Sequence, residues 1–148
     1  MGSDRILREK SSLQAISKLE HSRLPYAATL LVYVVLERCL KLHIVETHRN
    51  WEPRKIKHYL EKATLVDLER VCNVIPVERY SEHRNKVFHS NLYIAQDEEN
   101  EQRREDANWE MLATAKGHLI EASRCYFHHP ITEIDGKLRF EPEFPGCC

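Results

Sequence analysis

The polar run from Ser81 to Tyr93 holds the densest set of side chains in this chain that could do chemistry. Within it, Arg84, Asn85 and His89 form the pattern R-N-x-x-x-H. A histidine titrates near neutral pH and can give or take a proton, whereas an arginine stays charged and can form two parallel bonds to a phosphate. The pattern therefore indicates a site where a proton-transfer group works beside a bound phosphate.

The spacing of these residues limits how one chain can use them. On a continuous α-helix, positions five apart lie about 140° apart around the axis, so Arg84 and His89 diverge, while Asn85 and His89 share a face. Convergence of the arginine and the histidine needs a bend, a frayed first turn or a second copy of the chain. With Ser81 as an N-cap, Arg84 would lie in the first turn, where free backbone amides favour a phosphate.

Neighbouring residues are predicted to assist this site. His83 and Lys86 would support the chemistry. Substrate contacts are predicted for Arg79, Lys86 and Tyr93. The cationic side chains make this segment locally basic although the whole chain is nearly neutral, as a phosphodiester substrate would require.

Glu37 is a further supporting candidate, because it interrupts the most apolar segment of the chain. A carboxylate in such a segment needs a partner when it is buried. Two partners fit: Arg84, which would tie this helix to the motif, and Lys41, which lies at the i, i+4 position of the same helix.

Three histidines each precede a glutamate by three residues, a spacing that helical-bundle metal sites use: His43 with Glu46, His58 with Glu61, and His118 with Glu121. Since the chain has nine histidines and 23 acidic residues, ordinary surface or hydrogen-bonded pairs explain this spacing as well. Gly-rich phosphate loops and a Ser-centred hydrolase elbow are missing from the sequence. We predict no metal and no other cofactor.

The elements that position these residues are mainly helical. Apolar spacing, proline positions and a Thr64/Asp67 capping box predict helices over residues 4–22, 26–48, 53–62, 64–75, 77–94 and 112–126. The acidic stretch 97–106 is predicted to be a solvated loop or the start of a helix. Asp135 and Gly136 predict a two-residue hairpin turn. The fold expected is all-α: an up-and-down bundle of five to six helices over residues 1–130, with a hairpin-like C-terminal tail over residues 131–148.

Composition excludes several classes of protein. The 148 residues include 22 Lys and Arg against 23 Asp and Glu, for a net charge of −1, so a generally basic nucleic-acid coat is excluded. The longest uncharged run, residues 24–36, is too short to cross a bilayer, and no membrane partner is expected. An odd number of cysteines, five, without a C-x-x-C motif favours a reducing, cytoplasmic compartment.

The R-N-x-x-x-H pattern resembles the signature of the HEPN superfamily, in which an arginine, a polar residue and three further residues precede a histidine. Two other pairs share the Arg-to-His spacing, Arg38 with His43 and Arg124 with His129, but each has cysteine after the arginine. The resemblance in helix order covers residues 4–128, and the residue-level match covers residues 84–89.

This resemblance implies a small helical homodimer that cleaves RNA without a metal ion, with Arg84, Asn85 and His89 as catalytic residues in a composite cleft. The 2′-hydroxyl would attack the neighbouring phosphorus and leave a 2′,3′-cyclic phosphate. The implied setting is toxin–antitoxin or antiphage defence, with an antitoxin or regulatory protein as a further partner. Members paired with a nucleotidyltransferase antitoxin commonly have tyrosine two residues after the histidine, where this chain has Asn91, so a broader abortive-infection or stand-alone member fits better.

Two alternatives stay open at this point. A catalytically idle HEPN-type module would use the same basic cleft to bind RNA, a nucleotide or a protein. A helical-bundle metal protein would instead use His43, His58 or His118 with the nearby glutamates.

Overall fold

The most apolar segment of the chain forms the central helix, α2 (Pro25–Thr47). The computed structural model describes residues 2–71, 77–90 and 98–141. Pro25 stands at the first position of α2, where its missing N–H removes no helical hydrogen bond. Buried side chains cover about half of the circumference of α2, from Val35 through Val32 to Tyr33, so this helix is the centre of the core, as its composition predicts.

A 3₁₀ helix (Gly2–Glu9) leads directly into α1 (Lys10–His21), so the segment predicted as one α-helix is helical with a tighter first part. The chain then turns at Arg23, whose φ of 62° is left-handed. The Leu24 N–H donates to the Leu19 carbonyl at 2.9 Å, and the Arg23 N–H donates to the Glu20 carbonyl at 3.0 Å. These bonds form the C-terminal motif in which glycine is the usual left-handed residue.

Two short helices follow and contact α2: α3 (Pro53–Glu61) and α4 (Leu65–Glu69). The predicted capping box begins α4, because the Thr64 N–H donates to Asp67 Oδ2 at 2.8 Å. The predicted helix over residues 64–75 is too long, since α4 ends at Glu69 and residues 70 and 71 form a turn.

The second half of the chain is carried by α5 (Val77–Ser90) and α6 (Glu98–Ala122). Residues 98–106 of the acidic stretch belong to α6, which makes this helix longer than its apolar spacing alone predicts, while residue 97 lies outside the described residues. Leu112, Ala115 and Leu119 form its buried face and pack against α2. A π-helical turn (Ser123–Phe127) ends the segment ahead of Pro130. None of the helices in the described residues is both long and apolar enough to span a membrane.

The predicted hairpin is confirmed: β1 (Ile131–Ile134) pairs antiparallel with β2 (Lys137–Phe140). Asp135 and Gly136 connect the strands with φ values of 54° and 74°, the left-handed pair that a type I′ turn requires. Leu138 is buried, and its N–H donates to Ser17 Oγ of α1 at 3.1 Å. The structure is thus an all-α bundle whose terminal hairpin packs on α1.

Candidate functional site

The R-N-x-x-x-H pattern lies on α5, which is one continuous α-helix from Val77 to Ser90. The prediction that Ser81 caps this helix is wrong, since the helix begins four residues earlier and Ser81 is buried inside it at 3% exposure. The hydroxyl therefore sits in the middle of the helix, and Arg84 is its eighth residue rather than part of the first turn. The free amides at the helix start do not reach Arg84.

The helix sorts the motif onto two different faces. Tyr80 and Val87 are buried against the bundle, and Arg84, which lies about 40° around the axis from Tyr80, is half-buried. His89 is exposed in the last turn, about 140° around the axis from Arg84. With neither a bend nor a frayed turn between them, a single chain does not bring the arginine and the histidine together.

Arg84 is held in place by neighbours on its own helix. Its Nη1–H donates to Asn85 Oδ1 at 3.1 Å, and its guanidinium carbon lies 4.1 Å from the centroid of the Phe88 ring. The stacking on Phe88 and the hydrogen bond fix the plane of the guanidinium. Asn85 therefore contacts the arginine of the motif, and this restricts the orientation in which Arg84 can meet an anion.

The outward face of α5 carries a stripe of basic side chains, formed by Arg79, Lys86 and His89, all of which are exposed. They recur at intervals of seven and three residues, which places them on one side of the helix. Glu82 is also exposed on this side. The stripe is the most accessible part of the predicted site. Tyr93, the remaining predicted substrate contact, lies outside the described residues.

Glu37 does not contact the motif in this structure. Its Oε1 lies 3.3 Å from Lys41 Nζ one helical turn along α2, and both side chains are partly buried. Of the two partners considered for Glu37, the structure therefore selects Lys41. Arg84 instead uses Asn85 and Phe88, because both lie within one turn of it on α5.

A polar network that the sequence did not single out lies directly beneath the motif. The Tyr33 hydroxyl of α2 contacts Nδ1 of His83 on α5 and lies 3.1 Å from Nδ1 of His118 on α6. The two imidazole rings are T-shaped with centroids 5.4 Å apart. Nearby, the Tyr80 hydroxyl donates to Glu121 Oε1 at 2.6 Å. The contacts of His83 with Tyr33 and of Tyr80 with Glu121 dock α5 onto the two longest helices, α2 and α6.

Burial keeps the two histidines of this network uncharged at neutral pH. It lowers the pKa of His118 to about 4, with a further lowering by the neighbouring His83 and Arg79. Burial and the positive charge of Lys86 also lower the pKa of His83. Both histidines are therefore neutral at pH 7. Since Tyr33 has one hydroxyl proton, it can donate to one imidazole and accept from the other, which must then carry its proton on Nδ1.

One signal could have found the network from the sequence. Tyr33 stands within the apolar run of residues 30–36, and a buried tyrosine needs a partner for its hydroxyl. The partners themselves, on helices 50 and 85 residues further along, follow only from the packing of α5 and α6 on α2.

Two of the three histidine–glutamate pairs considered as metal ligands contact aromatic side chains in the structure. In the described ranges, no group of three or more His, Cys, Asp or Glu side chains is placed to hold a metal ion. His118 contacts Tyr33 while Glu121 accepts from Tyr80. The His43 ring packs 4.9 Å from the ring of Tyr126.

The site available to a ligand is therefore an exposed cationic stripe next to a half-buried, oriented arginine, supported from below by a neutral histidine–tyrosine network. This arrangement can attract a phosphate group and offers an accessible imidazole beside it. No protein-family model, no curated protein and no solved structure matches this chain.

Proposed function

We propose that this protein is a metal-independent endoribonuclease of the HEPN type, with RNA as its substrate and an active site shared by two copies of the chain. The observation that carries the proposal is the placement of the R-N-x-x-x-H pattern. It lies on one continuous helix, with His89 exposed among cations and Arg84 half-buried and oriented by Asn85 and Phe88.

The second copy of the chain is part of the proposal because of the angle between the two residues. A straight helix directs Arg84 and His89 about 140° apart, so one copy cannot place both on the same phosphate. A two-fold axis running beside α5 would bring two such helices together. In this proposal, the axis brings His89 and Arg84 of both copies to one cleft, so that an arginine of one copy can reach the phosphate beside a histidine of the other.

The reaction is a transesterification followed by release of the product. The His89 imidazole of one protomer takes the proton of the RNA 2′-hydroxyl, and the 2′-oxygen forms a bond to the adjacent phosphorus. The bond from phosphorus to the 5′-oxygen breaks, and the partner subunit's His89 gives a proton to that oxygen. The products are a 2′,3′-cyclic phosphate and a 5′-hydroxyl, so DNA, which lacks the 2′-hydroxyl, is not cut.

Arg84 stabilises the negative charge that develops on the phosphorus in this reaction. Its guanidinium can form two parallel bonds to phosphate oxygens, and its fixed plane reduces the cost of orienting it in the transition state. Asn85 positions Arg84 through their hydrogen bond. Arg79 and Lys86 hold the flanking phosphates, and His83 supports α5 from the bundle side through Tyr33.

The resemblance to HEPN proteins further supports a cytoplasmic role in toxin–antitoxin or antiphage defence, with an antitoxin or regulatory protein that controls the nuclease. Such control would act at the exposed stripe of α5, because covering His89 blocks both the base and the acid of the proposed reaction.

The experiment that tests the function measures cleavage of a labelled mixed-sequence RNA in excess EDTA by the wild type, His89→Ala and Arg84→Ala. We expect cyclic-phosphate ends from the wild type and loss of cleavage in both variants. His58→Ala is the matched control, because His58 is equally exposed but lies on α3. Cleavage that survives in His89→Ala, or that requires a divalent metal ion, contradicts the proposal.

The shared site is tested by the dependence of the rate on protein concentration. Activity per chain should fall as the protein is diluted below the concentration at which sedimentation shows the dimer dissociating. Activity per chain that stays constant across this dissociation would mean that one copy is sufficient. A folded wild type that binds RNA without cleaving it would instead favour the non-catalytic binding module.

A further inference from the structure

A second cationic surface lies away from α5, in a groove between α1 and the terminal hairpin. The groove has a volume of about 1490 Å³, and none of its lining residues belongs to α5. Five of the lining residues are lysine or arginine and one is histidine: Lys10, Lys18, His21, Arg23, Lys137 and Arg139. The R-N-x-x-x-H pattern does not account for this surface.

The positive charge of the groove is not neutralised by its own acidic residues. Glu20 accepts a hydrogen bond from Lys116 at 2.6 Å, and Glu141 accepts one from Arg124 at 2.9 Å. Neither Lys116 nor Arg124 lines the groove. Asp135 lies at the hairpin turn and is the third acidic residue of the lining. The cations therefore exceed the acids in number, and two of the three acids are already paired with cations elsewhere.

The cations stand on both walls of the groove. On α1, Lys10, Gln14 and Lys18 recur every four residues, which places them along one side of the helix. On β2, Lys137 and Arg139 are two residues apart, which places them on one face of the strand, opposite to Leu138 and Phe140; they therefore border the groove along its outer edge. From Lys10 to the end of α1 the wall is about 16 Å long at 1.5 Å per residue. An extended anion fits such a pair of walls better than a single phosphate.

The floor of the groove is apolar. Leu138 closes the groove from below at 3% exposure, so the apolar surface open to a ligand is that of the half-buried Phe140 and of Leu7, which is 41% exposed. A ligand with anionic groups along its edge and flat apolar surfaces between them would match both the walls and the floor. A single strand of nucleic acid has this chemistry, because its bases stack on aromatic rings while its phosphates contact cations.

Arg23 gives independent support, because its backbone is strained. Its φ of 62° lies in the left-handed region, at the helix-terminal position that glycine usually occupies. An arginine there costs stability relative to glycine, yet it adds a cation to the lining of the groove; its guanidinium carbon lies 5.6 Å from the ring centroid of Trp109 on α6, outside the lining. Residues held in unfavourable backbone conformations are concentrated at functional sites.

We infer that this groove binds single-stranded RNA and holds the substrate at a distance from the cleavage site. That the strand is RNA is inferred from the proposed function. That the ligand is anionic and has stacking bases is inferred from the groove itself. With 3.4 Å per stacked nucleotide, the α1 wall would accommodate about five nucleotides.

The test measures binding of a fluorescently labelled 12-nucleotide RNA by anisotropy, using the full chain with His89→Ala so that the strand stays intact. Lys18→Gln combined with Arg139→Gln removes one exposed cation from each wall. Each lost phosphate contact should weaken binding about eightfold at 50 mM salt, so the double variant should bind about 60-fold more weakly. The slope of log affinity against log salt should become shallower by about 1.4.

The control is Arg54→Gln combined with Lys57→Gln. It makes the same change of charge on exposed residues of α3. Equal weakening by both double variants, or unchanged binding in the groove variant, overturns the inference. Tighter binding of an acidic peptide than of the RNA overturns it as well, because the groove would then be a protein-docking surface.

A further variant, Arg23→Gly, should weaken RNA binding without lowering the melting temperature. Glycine relieves the left-handed strain, so the melting temperature should stay the same or rise, while RNA affinity falls about eightfold. A lower melting temperature with unchanged affinity would mean that Arg23 serves the fold alone.

The two proposals fail in different ways. If Lys86→Gln on α5 abolishes RNA binding while the groove variants bind normally, the groove inference is wrong and the ribonuclease remains. If groove-dependent binding is found but the wild type never cleaves RNA, the groove inference stands and the proposed activity is wrong.

Discussion

Acidification should destabilise this protein through His118, and the size of the effect follows from its burial. His118 is 8% exposed, and burial lowers its pKa from 6.5 to about 4. Between these two values the unfolded chain binds a proton that the folded chain does not. Stability is therefore complete above the unfolded pKa, is lost as the pH falls from about 6.5 towards 4, and changes little below that.

The magnitude can be worked from these two values. Between pH 8 and pH 5, a group with a pKa of 6.5 unfolded and about 4 folded reduces the free energy of unfolding by about 2 kcal/mol. His83 adds to this loss in the same direction, since its pKa is also lowered. Both side chains contact the Tyr33 hydroxyl, so the loss falls on the contact of His118 that joins α6 to α2 and on the contact of His83 that docks α5.

The assay is urea unfolding at a series of pH values from 5 to 8, comparing the wild type with His118→Gln. The glutamine keeps a polar side chain but does not titrate, so the loss of stability between pH 8 and pH 5 should be about 2 kcal/mol smaller in the variant. His58→Gln, a change at an exposed site on α3, should leave the wild-type dependence unaltered. An identical pH dependence in the wild type and in His118→Gln would refute the reasoning.

Three further predictions concern single residues. Leu119→Ala should lower the free energy of unfolding by about 3 kcal/mol in urea titrations, because Leu119 is fully buried on α6 and its truncation leaves a cavity. A loss below about 1 kcal/mol would mean that the core collapses around the truncated side chain. Gly136→Ala should cost about 1 kcal/mol, since φ there is 74°, whereas Asp135→Asn should be nearly neutral. Glu37→Gln should change stability by less than about 0.5 kcal/mol and leave RNA cleavage unchanged, because Glu37 pairs with Lys41 on its own helix. Loss of cleavage in a folded Glu37→Gln variant would show that Glu37 does act on the motif.

The parts of the fold that depend on neighbouring residues were predictable from the sequence. The bounds of α2 and α3 differ from the predictions by at most one residue: Pro53 begins α3 as predicted, and Pro25 begins α2 one residue earlier than predicted. The hairpin was predictable because only a few residue pairs adopt two successive left-handed conformations. The predicted start of α5 at residue 77 is confirmed, whereas the alternative in which Ser81 caps the helix is wrong, because Ser81 lies inside the helix, where tertiary packing buries it.

In the candidate site, too, the sequence predicted the features that depend on nearby residues but not the contacts between helices. Sequence spacing identified Arg84, Asn85 and His89, and it also showed that a straight helix separates the arginine from the histidine. It did not determine which partner Glu37 takes, since Lys41 and Arg84 both satisfied the chemistry. The structure selects Lys41 because one helical turn brings the two side chains of α2 together without any contact to α5.

The sequence by itself determined the all-helical class, the central apolar helix, the hairpin and the helix that carries the motif, because propensity, capping and periodicity act over a few residues. Only the tertiary structure decided which distant groups meet. The contacts of Tyr33 with His83 and His118, and the groove formed by α1 and the hairpin, join segments that lie far apart in the chain. Such contacts depend on how whole helices pack, so no local pattern in the sequence encodes them.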